Sequence, residues 1–162
     1  MTMARTMACI GAVALFAVAC AEEVHLTQEE ALSRALHMGA TGAQRDFDYT
    51  SAAAHFKQLY EREPENVEAL VGYGRNLRYA GQPLEAVKSL KKGVDKHGQQ
   101  FAILLELAKA QLAASFLNDS KETLQKVGEL APDNWDLHSV SGILFDRLGD
   151  HEQAQTSYRL AL

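Results

Sequence analysis

The chain has 162 residues and a formal charge of −5, from 16 Lys+Arg against 21 Asp+Glu, with 47% hydrophobic and 23% charged residues. That balance excludes wholesale disorder, and the lack of a basic excess argues against nucleic acid as the main partner. Two cysteines exclude a disulfide-rich scaffold, and sparse aromatics beside plentiful Ala and Leu point to helices.

The first segment reads as an address rather than as fold. Met1 to Met7 carry one charge, Arg5, and an apolar run from Cys9 to Cys20 follows, ended by Glu22 and Glu23. A basic start, about a dozen apolar residues and a small-residue end predict a secretory signal peptide over 1–19. The run is shorter than the roughly 20 residues a spanning helix needs. Its end, Phe16-Ala17-Val18-Ala19-Cys20, resembles the lipobox of bacterial lipoproteins, with Ala17 where leucine is commoner. That resemblance implies lipidation of Cys20 and a membrane-anchored mature chain. Ala21, rather than Asp, after the cysteine is compatible with sorting to the outer membrane. The alternative is an ordinary signal peptide cleaved near Ala19 or Ala21, with Cys20 incidental. Residues 20–32 then read as a tether and the start of the first helix, where Thr27-Gln28-Glu29-Glu30 offers a capping box.

A period of 34 residues runs through the rest. Pro64 and Pro132 stand two periods apart with Gly98 midway. Gly74, Ala108 and Gly142 form a second column, and Gly81, Ser115 and Gly149 a third, in which Phe47 is the first member. Ala52, Ala86, Ser120 and Ala154 form a small-residue column, with Phe56, Leu90, Leu124 and Tyr158 four positions on. The small residues predict close helix approach, the turn column positive φ, and the prolines helix ends. This pattern resembles the tetratricopeptide repeat (TPR). The expected fold is all-α, a TPR solenoid of antiparallel helix pairs with about four repeats: 33–66, 67–100, 101–134 and an incomplete 135–162. Solenoids need a capped last repeat, and Leu160 and Leu162 would be left uncovered. A truncated longer protein is the expectation favoured here, with a covering partner as the alternative.

Candidate chemistry is thin. None of the six histidines pairs at i, i+4 spacing or sits in an HExxH context. Glu61, Glu63 and Glu65 read as a solvated face, and the Lys88, Lys91, Lys92, Lys96 stripe as exposed charge. No nucleophile has a nearby base. The expectation is a protein that is not an enzyme, with no catalytic residues, no metal, no cofactor and no small-molecule substrate.

The TPR resemblance implies a concave groove lined by the first helix of each pair. By position it would include Val71, Arg75, Arg78 and Tyr79, then Leu105, Lys109 and Leu112, then Asp136, Ile143, Asp146 and Arg147. Arginine and tyrosine suit binding hot spots. Arg75 and Arg78 share a helix face, and Lys109 lies one period after Arg75, so the groove is expected to be positive in its middle. Such repulsion, unmet by the fold, would be relieved by an acidic or extended segment of a partner.

The last repeat adds a narrower resemblance. Asp133-Asn134-Trp135-Asp136-Leu137, Gly142-Ile143-Leu144-Phe145-Asp146-Arg147-Leu148-Gly149 and Tyr158-Arg159 together resemble the TadD lipoproteins of the Tad/Flp pilus system. Tyr73-Gly74-Arg75-Asn76-Leu77-Arg78 in the second repeat agrees with it. The resemblance implies an outer-membrane-anchored, periplasm-facing factor assisting assembly of the pilus secretin. The alternative is a pilotin-like or outer-membrane-protein assembly TPR lipoprotein of another secretion machine.

Overall fold

The structure is a computed structural model that describes residues 27–162. The expected signal peptide 1–19, Cys20 and the first part of the tether lie outside the described residues. The elements are α1 (Gln28–Arg45), α2 (Tyr49–Arg62), α3 (Val67–Tyr79), α4 (Pro83–His97), α5 (Phe101–Ala113), α6 (Leu117–Leu130), α7 (Trp135–Leu148) and α8 (His151–Leu160). Every regular element among the described residues is a helix.

Local chemistry sets the helix ends. At Thr27 the expected capping box forms: its hydroxyl accepts from the Glu30 N–H, and the Glu30 carboxylate accepts from the Thr27 N–H. Asp48, Asn66, Asn134 and Asp150 cap α2, α3, α7 and α8 with side-chain oxygens. Pro83 opens α4, where a missing N–H costs nothing. Pro64 and Pro132 follow the ends of α2 and α6, as the column predicts.

The turn inside each pair repeats the same backbone. Phe47, Gly81, Ser115 and Gly149 stand at φ of 58°, 75°, 64° and 81°. The repeat thus imposes a left-handed residue whatever the side chain, although a non-glycine there costs about 1–2 kcal/mol. The conformation turns the chain so that the next helix returns antiparallel to the one before.

The small-residue columns do what their spacing requires. A Cβ on Gly74 would stand 2.7 Å from Leu90 Cδ1, and one on Gly142 2.4 Å from the Tyr158 ring, so each glycine lies where paired helices touch. Ala52, Ala86, Ser120 and Ala154 are all buried. Ser120 meets the burial of its hydroxyl by donating to the Ala108 carbonyl at 3.0 Å. Leu70, Leu90, Ile103 and Leu107 anchor one core cluster, and Leu104, Leu124, Val127 and Leu144 a second. The apolar core is therefore shared between neighbouring repeats, as a solenoid requires.

Neighbouring repeats are also joined by polar contacts away from the groove. Lys96 donates to the Pro64 carbonyl at 2.6 Å and pairs with Glu65 at 3.0 Å, while the Tyr60 hydroxyl meets His97 Nε2 at 2.9 Å. Lys91 reaches Asp119 on α6 at 3.4 Å. The lysine stripe of α4 is thus exposed, as expected, and partly engaged in ion pairs between repeats.

Candidate protein-binding groove

The first helices line up side by side: α3 packs on α5, and α5 touches α7. Between α1 and α3 the packing opens into a cleft of about 540 Å³. His37, Thr41 and Gln44 of α1 form one wall. Glu68, Val71 and Arg75 of α3 form the other, and Ala102 of α5 stands at its far edge. The Phe56 ring forms the floor. It fits because Gly72 has no side chain: a Cβ there would lie 2.7 Å from the ring. Polar order at one end comes from Asn76, which is fully buried. Its amide donates to the Gly72 carbonyl at 2.7 Å, and its oxygen accepts from Gln44 Nε2 at 3.1 Å.

The charges expected to stand free in the groove are instead engaged by the fold. Glu106 of α5 is 2% exposed and accepts from Arg78 Nε at 2.9 Å and from Arg75 Nε at 3.4 Å. A carboxylate so buried is tolerable only with such partners. Burial pulls the Arg78 guanidinium down, but the charge and hydrogen bond of Glu106, with help from Tyr79, outweigh it and leave its pKa raised. Lys109 pairs with Asp136 of α7 at 2.6 Å. The expectation of three mutually repelling cations is therefore corrected. Each meets an acid on the first helix of the next repeat, but Arg75 and Arg78 share Glu106. Three cations thus face two acids, and the middle of the groove is a ladder of ion pairs with one net positive charge left over.

Asp146 and Arg147 also have partners within the fold, although both remain exposed. Asp146 accepts from the Tyr158 hydroxyl at 2.8 Å and stands 3.4 Å from His151 Nδ1, so it serves its own helix pair. Arg147 reaches back to α5. It donates to the Leu112 carbonyl and, at 3.0 Å, to the Ser115 hydroxyl. A cation at the C-terminal end of α5 complements the helix dipole and fixes the left-handed Ser115 turn. Leu105 and Leu112 are core residues, and Val71 is mostly core with one edge on the cleft. Ile143 is exposed.

What remains available is narrower than the sequence implied. Arg75 is 48% exposed, lines the cleft and holds only the longer of the two bonds to Glu106. Glu106 keeps Arg78 if Arg75 turns away. Arg75 is thus the groove cation that a ligand can recruit at least cost. Tyr79 is 52% exposed, with the Arg78 guanidinium 4.3 Å from its ring centroid. Sequence reasoning missed Glu106 and the Gln44–Asn76 pair. The signal for Glu106 was a single acid inside the apolar stretch Phe101–Ala113, about one period after two arginines.

No helix of the described residues is long and apolar enough to cross a membrane. Comparison with known proteins adds the following. Residues 37–100 match the tetratricopeptide repeat family. Peroxisome biogenesis protein 5 of Arabidopsis thaliana is 29% identical over 123 residues, covering 75% of this chain but only 16% of that relative's length. A thermophilic TPR protein of Thermus thermophilus superposes with a TM-score of 0.72 at 19% identity, over 80% of this chain and 73% of that one. MamA of Desulfovibrio magneticus RS-1 superposes with a TM-score of 0.67 at 21% identity, over 80% and 73% of the two chains. A TPR protein of Parabacteroides merdae gives a TM-score of 0.64 at 18% identity, over 80% and 52%. The repeat match thus covers residues 37–100, and the helix pairs stacked from α1 to α8 give the described residues the fold of a tetratricopeptide-repeat solenoid.

Proposed function

We propose that the protein is a non-catalytic scaffold whose concave cleft between α1, α3 and α5 holds an extended segment of a protein partner. The observation that carries this reading is the cleft itself: an apolar floor at Phe56, amide and hydroxyl groups along α1, and one recruitable cation, Arg75. An extended chain has alternating side chains to place on such a floor and an acidic group to offer the arginine. The finer reading is an outer-membrane lipoprotein, anchored through Cys20 and facing the periplasm, that assists assembly of the Tad/Flp pilus secretin. It is supported by the Ala17-Val18-Ala19-Cys20 end of the apolar run and by the repeat-four residues from Trp135 to Arg159.

The test takes the full chain in its native host. Arg75→Gln with Ala102→Gln places a second uncharged side chain at the cleft edge and removes the recruitable cation. Glu106 still has Arg78, and both positions are solvent-accessible, so the fold is kept. The double variant is expected to reduce co-purification of the pilus secretin at least about tenfold, the loss of one charge-assisted bond, with unchanged helical circular dichroism. Cys20→Ser should release the protein from the outer-membrane fraction. Wild-type recovery of the secretin by the double variant would exclude the cleft, and co-purification of a different secretin would favour the alternative secretion machine.

A further inference from the structure

We propose a second interaction surface, distinct from the cleft: Phe47, Tyr49 and Tyr79 form an aromatic ledge on the turn edge of the first two repeats that takes a lysine or arginine side chain from a basic segment of a protein partner.

Phe47 is the residue that needs explaining. It occupies the left-handed turn position that Gly81 and Gly149 fill without strain. Ser115, the other non-glycine in the column, has a role in the fold, since its hydroxyl accepts from Arg147. Phe47 has none of comparable weight. It is 77% exposed, so little apolar burial offsets the strain of a bulky residue at φ 58°. Strain that the fold does not repay is a mark of a functional position.

Its neighbours extend it into a surface. The Tyr49 ring meets Phe47 edge-on with centroids 6.3 Å apart, and Tyr79 lies 5.0 Å from Tyr49. Arg78 backs the Tyr79 ring and is itself held by Glu106, so its charge is already met. Three aromatic groups from the α1–α2 turn, the start of α2 and the end of α3 thus form one row across two repeats.

Charge selects the occupant. Asp46 and Asp48 flank Phe47 on either side and are both exposed. Asp48 is held ionised by the Ser51 hydroxyl and N–H, which lower its pKa. An exposed aromatic side chain with an acid on either side of it in the sequence favours a cation on an apolar stem, which can stack on the ring with its charge near the acids. The same acids oppose an anionic membrane surface, and the chain as a whole is acidic at −5.

The test measures binding of a fluorescein-labelled peptide of six alternating Arg-Gly pairs to the full chain by fluorescence polarisation, with a Glu-Gly peptide as comparator. Phe47→Gly should weaken the Arg-Gly peptide about fivefold while leaving the melting temperature unchanged or raised, because glycine relieves the turn. Asp46→Asn with Asp48→Ser, which keeps an N-cap oxygen for α2, should weaken it by a similar factor. Equal binding by wild type and Phe47→Gly, or no binding to wild type, would overturn the proposal. So would a lower melting temperature in Phe47→Gly, which would make the ring a packing group. A wild-type dimer lost in Phe47→Gly would overturn it too, in favour of a second copy of the chain as occupant.

Discussion

Glu106→Ala is expected to destabilise the protein by about 3 kcal/mol, a drop in melting temperature on the order of 10 °C. The carboxylate is buried in the centre of the stack and joins α5 to two arginines of α3. Its removal leaves Arg78, only 17% exposed, without the carboxylate that meets its charge. Arg75 can turn to water at little cost, which holds the effect to the lower end of the range for broken buried pairs. Replacing both members, Glu106→Leu with Arg78→Leu, should recover most of the loss, because no orphaned charge remains. Thermal and urea melts followed by circular dichroism give the comparison. If Glu106→Ala and wild type melt together, the ion pair between repeats has no structural weight.

Gly74→Leu should cost a similar amount, about 3 kcal/mol, by overpacking. The new side chain would enter the space of Leu90, which is fully buried and cannot move aside without disturbing the shared core. Gly142→Leu supplies the contrast. Its Cβ would meet the Tyr158 ring, which is partly exposed near the end of α8 and can swing outward. The cost there should fall to about 1 kcal/mol. Equal effects at the two glycines would mean that repeat period alone, rather than local burial, sets the cost. Because stability in a solenoid is a sum over neighbours, hydrogen exchange should show the Gly142 effect confined to α7 and α8.

Period was the most legible feature of the sequence. It exposed the helix pairs, the close approaches at Gly74 and Gly142, and the turn positions, including the two where Phe47 and Ser115 stand in glycine's place. The capping box at Thr27 was legible because it is local: donor and acceptor lie three residues apart. The groove charges were misread for the opposite reason. Arg75, Arg78 and Lys109 were placed on the right helices, but the acids that meet them lie 27 to 31 residues away. Which partner a long side chain finds across adjacent helices depends on their rotation and offset, which a period of 34 does not specify. Asp146 and Arg147 were likewise placed on the right helix but without their partners. The first belongs to the α7–α8 pair, and the second works as a cap on α5. The cleft was not legible at all, because it arises where α1 and α3 fail to close over Phe56.

The central claim is that the concave cleft holds a partner segment, and photocrosslinking in living cells tests it most directly. A benzophenone amino acid replaces Ala102, on the cleft edge, in one strain, and exposed Glu122 on α6, away from the cleft, in another. Irradiation should yield a covalent adduct with a pilus-assembly protein from position 102 and none from position 122, and Arg75→Gln should diminish the adduct. An adduct from position 122 with none from position 102 would contradict the account.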